Sequence, residues 1–334
     1  MEFLVSEPLW AWFAFTTFVL VMLAIDLGIF QREAHVVKPK EAAAWTGVWM
    51  LLSLLLGLVF YYWLGSEKAI QYITGYVLEW SLSVDNIFVF VLVFKYFKLP
   101  LKYQQRVLLW GILGALTLRT LMIVVGAVLI QRFDWILYLF GVFLLLTGLR
   151  MLFQSESDET DLENNIALRL IRRVLPVTDE YDGQKFFTKR NGTWMATPLM
   201  LVLAVIEFTD LLFALDSIPA IFAVTTDGFI VFTASIMALL GLRSMYFLLA
   251  HVVHRFVFLR TGLALILVYI GVKMLIVDYL HIPSSISLGV VLSLLMASVV
   301  ASLLWGEPEE PPRPEELPSN EREESCSEGL PSNQ

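Results

Sequence analysis

The chain has little of what soluble metal sites and disulfide scaffolds are built from. Its 334 residues contain one cysteine, Cys326, which excludes an internal disulfide and a thiolate metal cage. The four histidines, His35, His251, His254 and His281, fall at loops or at the ends of apolar runs. There they read as interfacial groups, with His251 and His254 also placed to capture or release metal at a cytoplasmic mouth. No nucleotide-binding loop, phosphorylated-aspartate motif, paired nucleophile and base, or zinc-protease signature is visible, so the chain is expected not to be an enzyme. Basic residues are missing ahead of the first apolar run, where Glu2 and Glu7 are the only charges. The first run is therefore expected to be a retained span, since a signal peptide opens on a basic region.

Charge in general is scarce. Charged residues make up 16% of the chain and apolar ones 58%, with a mean hydropathy of +0.73, well outside the range of soluble domains. This composition is that of a polytopic membrane protein of the all-α class, a helical bundle with the lipid bilayer as its solvent. The net charge of −8 arises largely in residues 306–334, where nine glutamates face only Arg313 and Arg322. That tail, rich in Pro, Glu and Ser, has almost nothing to bury and is expected to be a disordered cytoplasmic extension. Residues 1–305 form the expected membrane domain, and no nucleic-acid partner is expected.

Crossing a bilayer core takes about 20 apolar residues in a helix. Nine runs qualify, near 8–30, 43–64, 70–95, 107–130, 134–153, 197–223, 228–250, 257–277 and 283–304. Basic residues cluster in alternate loops, for example Lys95, Lys98, Lys102 and Arg106 after the third run, whereas the other loops hold little beyond Lys68 and Arg132. The positive-inside rule then predicts an outside amino terminus and a cytoplasmic carboxyl terminus. In the long cytoplasmic loop, about 154–196, Ile166, Leu170, Ile171, Val174 and Leu175 recur at helical spacing beside Arg169, Arg172 and Arg173. That suits a short amphipathic helix on the membrane surface, with a plain linker as the alternative.

Two of the apolar runs carry carboxylates on one template. The third contains Glu79-x5-Asp85-Asn86-Ile87, and the sixth contains Asp210-x5-Asp216-Ser217-Ile218, with Glu207 one turn earlier. Carboxylates at membrane depth are costly, face bundle interiors and mark ion, proton or substrate paths. The template belongs to a wider echo. Leu118-Arg119-Thr120 returns as Leu242-Arg243-Ser244, and Gly148-Leu149-Arg150-Met151-Leu152 as Gly271-Val272-Lys273-Met274-Leu275, at offsets of 124 and 123. Residues 70–153 and 197–277 are thus two copies of a three-helix unit. An odd number of helices inserts the second copy in the opposite sense, an inverted repeat of the kind many secondary transporters use, with a site expected near midplane.

On a regular helix Glu79, Ser83 and Asn86 share one face, as do Asp210, Ala214 and Ser217. Asp85 and Asp216 stand about 120° round from their partners. Either the two acids of a helix face different neighbours, or the helix is interrupted so that they converge, for which Pro219 supplies a cause in the second copy. Five acids against Arg119 and Arg243 leave an excess that protons or a bound cation must neutralise. The expected metal-binding set is Glu79, Asp85, Asn86, Glu207, Asp210, Asp216 and Ser217. Arg119 and Arg243 are expected to brace acids or helix ends, and Asp26 is an interfacial or supporting group. Carboxylate, amide and hydroxyl oxygens without thiolate or imidazole suit hard divalent ions such as Mn, Mg or Ca.

The segments LEWSLSVDNIFVF, FDWILYLFGVFLLLTGLRML, LLFALDSIPAIFAVTTD, LGLRSMYFLL and GVKMLIVD resemble those of the TerC family of integral membrane proteins, most nearly its Alx-type bacterial members, over about residues 8–304. The resemblance implies a bacterial inner-membrane protein associated with manganese export, with relatives linked to tellurite resistance or alkaline induction. It also implies that the intramembrane acids are functional. The expected activity is export of Mn2+ as the transported ion by alternating access, coupled to H+, with no permanently bound cofactor. Two other readings stand beside it: a proton or alkali-cation transporter, and a non-transporting membrane scaffold in metal or tellurite stress response.

Overall fold

A computed structural model describes residues 7–30, 39–133, 135–153, 176–178, 182–190, 193–250, 258–280 and 282–305. Within these, the side chains of 26–30, 39, 85, 101, 102, 190 and 193 lie outside the description. The surface-helix expectation for 166–175, the tail 306–334 and all four histidines fall outside the described residues. Among the described residues the chain is all-α apart from one short hairpin.

Every apolar run is helical. The helices are α1 (Leu9–Phe30), α2 (Pro39–Leu64), α3 (Ser66–Tyr96), α4 (Leu101–Arg132), α5 (Ile136–Phe153), α6 (Pro198–Phe222), α7 (Gly228–Leu240), α8 (Leu242–Leu249), α9 (Leu259–Leu275) and α10 (Ser284–Trp305). Helix is the default here because lipid offers no partner for an open backbone N–H or C=O. Six of these helices are long and apolar enough to cross a membrane, and α7 with α8, bent by 42° at their junction, would make a seventh. Leu9–Ile25 is a shorter apolar helix and α9 has 17 residues, so length alone does not establish nine crossings.

Local chemistry sets several ends. The chain leaves α3 through Lys98, at φ 48°, with the Leu99 amide donating to the Phe94 carbonyl and the Lys98 amide to that of Lys95. This is the paired closure of a Schellman turn, with Pro100 forbidding continuation. Asp227 caps α7 by accepting from the amides of Phe229 and Ile230. Strands β1 (Phe187–Arg190) and β2 (Thr193–Ala196) pair antiparallel, and Arg106 of α4 donates to Gln184 and stands over the Phe186 ring. This hairpin was not expected from the sequence of the 154–196 loop.

The core is built on α3, which packs against α2, α6, α7 and α10, while α4 packs on both α6 and α7. Helices α5 and α9 run antiparallel through a close glycine crossing. A Cβ at Gly148 would stand 2.7 Å from the Ala264 carbonyl and 2.8 Å from the Val268 amide, and one at Gly271 would stand 2.8 Å from the Gly141 carbonyl and 2.6 Å from the Leu145 amide. Adding 123 turns Gly148 into Gly271, Gly141 into Ala264 and Leu145 into Val268. The two glycine contacts are thus one contact made twice, as across a two-fold axis.

Candidate ion site at the centre of the bundle

Glu79 and Asp210 each fall near the middle of their helices, α3 and α6, and Arg119 of α4 lies between them. The guanidinium, 1% exposed, donates to a Glu79 carboxylate oxygen, and its second terminal nitrogen is 3.7 Å from Asp210 Oδ1. Ser235 of α7 donates to the other Glu79 oxygen at 2.7 Å. Asn86, two turns beyond Glu79 on the same face of α3, donates through Nδ2 to Asp210 Oδ1 at 3.3 Å. Four helices therefore meet on two carboxylates and one guanidinium. Isolated charges are prohibitively expensive in such a place, and pairing with further hydrogen bonds is what makes them tolerable.

The pairing is incomplete. Asn86 Oδ1, Asp210 Oδ2 and Ser217 Oγ are buried without a hydrogen-bond partner among the described residues, as is Arg119 Nε. Buried polar atoms are seldom left so unless an ion, a water or a function accounts for them. The free acceptors are hard oxygens, the donor type that Mn2+, Mg2+ or Ca2+ takes.

Glu207 and Asp216 have other neighbours. Both α3 and α6 are unbroken, α6 continuing through Pro219 to Phe222, so an interruption does not bring the paired acids together. They face different neighbours: Asp210 looks to α3 and α4, and Asp216 to Thr147 of α5, with its Oδ1 buried and unpartnered. Glu207 projects against α4, where only the missing side chain of Gly114 leaves space for its carboxylate, and its Oε2 is likewise unpartnered. Among the described residues no three carboxylates, histidines or cysteines are grouped so as to hold a metal ion. Asp85 lies in α3 and Asp26 in α1, with side chains outside the description. Arg243 opens α8 and is 7% exposed.

Sequence reasoning overlooked Ser235, Thr147 and Gly114. Ser235 and Thr147 look like ordinary small polar residues of apolar helices, and only knowing which helices are neighbours gives them a role. The signal for Gly114 is that of a glycine inside a long helix, where its cost against alanine asks for a packing reason.

Residues 64–309 match the model of the integral membrane protein TerC family. An uncharacterized membrane protein of Myxococcus xanthus is 52% identical over 299 residues, covering 90% of this chain and 93% of its own. A protein of Escherichia coli strain K12 described as "Putative membrane-bound redox modulator Alx" is 50% identical over 305 residues, covering 89% and 94%. An uncharacterized membrane protein of Rickettsia bellii is 40% identical over 294 residues, covering 88% and 97%. No solved structure matches the chain.

Proposed function

Because the chain belongs to the TerC family of multi-pass integral membrane proteins, we propose that it is a bacterial inner-membrane transporter that exports Mn2+ from the cytoplasm by alternating access, coupled to protons. The observation that carries this reading is the central cluster, in which one buried arginine serves two buried carboxylates and leaves hard oxygens of Asn86 and Asp210 open. In this scheme Arg119 is the resident counter-charge. A divalent substrate ion competes with it for Glu79 and Asp210, and return of Arg119 or protonation of the acids releases the ion. The self-reciprocal crossing of α5 and α9 supports an inverted pair of three-helix units that rock about that contact. The amino terminus is outside and the carboxyl terminus cytoplasmic.

A second reading, transport of protons or an alkali cation, is favoured by a specific observation: no three acidic, histidine or cysteine side chains converge among the described residues. The description of relatives as redox modulators applies to this chain only indirectly, since one cysteine cannot cycle an internal dithiol. Uptake of radiolabelled manganese into inverted vesicles holding the purified protein, with Mg, Ca and Zn as competitors and an imposed pH gradient, separates the readings. Manganese uptake that Mg fails to displace and that the pH gradient drives supports export. The changes Asp210→Asn, Asp85→Asn and Asp216→Asn are expected to abolish it while the protein still inserts, and unaltered uptake in all three rejects the site. Proton flux that manganese does not inhibit favours the second reading.

A further inference from the structure

The hairpin of the long loop carries a surface that the central cluster leaves unused. Side chains along β1 and β2 alternate between two faces. The inner face holds the hairpin in place: Phe186, just ahead of β1, packs edge-on against Trp110 and lies under Arg106 of α4, and Thr188 donates to Asp182 at 2.7 Å. The outer face presents Lys185, Phe187 and Lys189, with Trp194 from the other strand, all exposed and Trp194 most clearly, at 66%. Lys189 stands opposite Trp194 in the register, which sets Trp194 diagonal to Phe187, a spacing that aromatic side chains can bridge. Lys185 also meets Asp182 at 3.2 Å. Two rings flanked by ammonium groups suit an extended apolar ligand edged with carboxylates.

The chain itself holds such a segment. Between Glu307 and Pro318 stand five prolines and five glutamates, with Arg313 and Leu317. Proline sets φ at about −65° and favours the polyproline II helix, which has three residues per turn. On that period Pro308, Pro311, Pro314 and Leu317 share one edge, and Glu309, Glu310, Glu315 and Glu316 flank it. Aromatic surfaces take proline segments in this way, because a preformed extended chain has little entropy left to lose.

Helix packing puts the root of this segment at the hairpin's end of the bundle. The Phe258 amide, just ahead of α9, donates to Ser302 Oγ at 3.0 Å, near the end of α10 at Trp305. Helices α9 and α5 are antiparallel, with Tyr138 near the start of α5 bonded to Asp278 beyond the end of α9. The end of α10 is therefore level with the end of α5, where the loop carrying the hairpin begins. Helix α10 also packs on α3, whose end presents Lys95 and Lys98 and leads into α4 beside the hairpin. Twelve residues in polyproline II span about 37 Å, against ~10 Å for the breadth of a helix.

We infer that residues 307–318 dock on the outer face of the β1–β2 hairpin, prolines on Phe187 and Trp194 and glutamates on Lys185 and Lys189. The acidic tail then ties α10 to the loop that joins the two three-helix units. A tether of this length gives an effective concentration of about millimolar order, so a shallow surface suffices. The inference is independent of which ion the bundle carries. Anionic lipid headgroups are the rival occupant, and the test separates them from the tail.

The test uses the full chain, one copy per phosphatidylcholine nanodisc, treated with a carbodiimide that joins a carboxylate to an ammonium in contact with it. Peptide mass spectrometry is expected to find Glu309, Glu310, Glu315 or Glu316 joined to Lys185 or Lys189 in preference to Lys95 or Lys98. Trp194→Ala changes an exposed side chain and leaves every reacting group in place, and is expected to lower the yield at least about fivefold. Salt at about 0.5 M is expected to lower it at least about threefold. Absence of these links, an undiminished yield in Trp194→Ala, or glutamates joined as often to Lys95 and Lys98 as to the hairpin overturns the docking. Replacing a third of the lipid with phosphatidylglycerol admits the rival: a yield kept within about twofold upholds the tail as occupant, and a greater loss assigns the face to headgroups and overturns the inference.

Discussion

Helix α4 and the pair α7–α8 carry the same sequence landmark and are different objects. Leu118-Arg119-Thr120 lies inside a helix that runs unbroken for 32 residues, whereas Leu242-Arg243-Ser244 opens α8 just after a 42° bend. The difference lies one residue upstream. Thr117 occupies the place in α4 and donates to the Leu113 carbonyl at 2.9 Å, while Gly241 occupies it in the second copy and Ser244 donates back to the Gly241 carbonyl at 2.9 Å. A glycine with a serine bonding into the helical ladder is a recognised cause of kinks. Repetition of a motif thus repeats the buried arginine but not its mechanics. Arg119 is anchored mid-helix between two acids, and Arg243 sits at a joint.

The largest expected effect separates the two arginines. Arg119→Gln leaves Glu79 and Asp210 without their counter-charge and is expected to destabilise the protein by about 3–5 kcal/mol, the range for breaking a buried pair on one side. Adding Glu79→Gln should recover part of that loss, because one uncompensated charge then disappears. Arg243→Gln should cost less, since a side chain beside a bend can reorient. Thermal unfolding of the detergent-purified variants checks all three, and equal losses at Arg119 and Arg243 would erase the contrast.

The glycine crossing gives the next effect. Gly148→Ala and Gly271→Ala each push a methyl group against a backbone, and overpacking of this kind costs about 1–3 kcal/mol. If the crossing is symmetric the two losses match; a large inequality in unfolding midpoint breaks the two-fold equivalence. A smaller effect of opposite sign is expected at the joint. Nothing lies within 3.4 Å of a Cβ built at Gly241, so Gly241→Ala should raise the unfolding midpoint, by about 0.5–1 kcal/mol in stability, and, on the transport reading proposed above, slow uptake in the vesicle assay. The smallest stability change belongs to Gly114→Ala, which should displace the flexible Glu207 carboxylate instead of the helix, with stability within about 0.5 kcal/mol and a measurable change in ion affinity.

Much of the architecture was legible because lipid-crossing segments announce themselves by length and hydropathy. All nine runs are helical, the seventh as two helices, while six of the described helices, or seven with the bent pair, are long and apolar enough to cross a membrane. Of the landmarks read as repeated, Gly148 and Gly271 both sit in the close crossing of α5 and α9. The interruption at Pro219 was not borne out as a way of bringing acids together: a proline removes one hydrogen bond, and a helix packed on its neighbours absorbs that loss. The break came instead at Gly241, one residue before a landmark that had been read for its arginine. The hairpin at 187–196 escaped notice because four-residue strands give too short a pattern for periodicity to register.

What the sequence determined by itself is the solvent and the inventory: a chain this apolar folds in a bilayer, as helices, with a surplus of carboxylates at membrane depth. These follow from transfer free energies and backbone satisfaction, which depend on composition and order along the chain. Which carboxylate meets which cation was decided only by tertiary structure. Glu79, Arg119, Asp210 and Ser235 are up to 156 residues apart, and their meeting depends on how helices rotate and pair. A helical face defines a direction, and only packing supplies what lies along it.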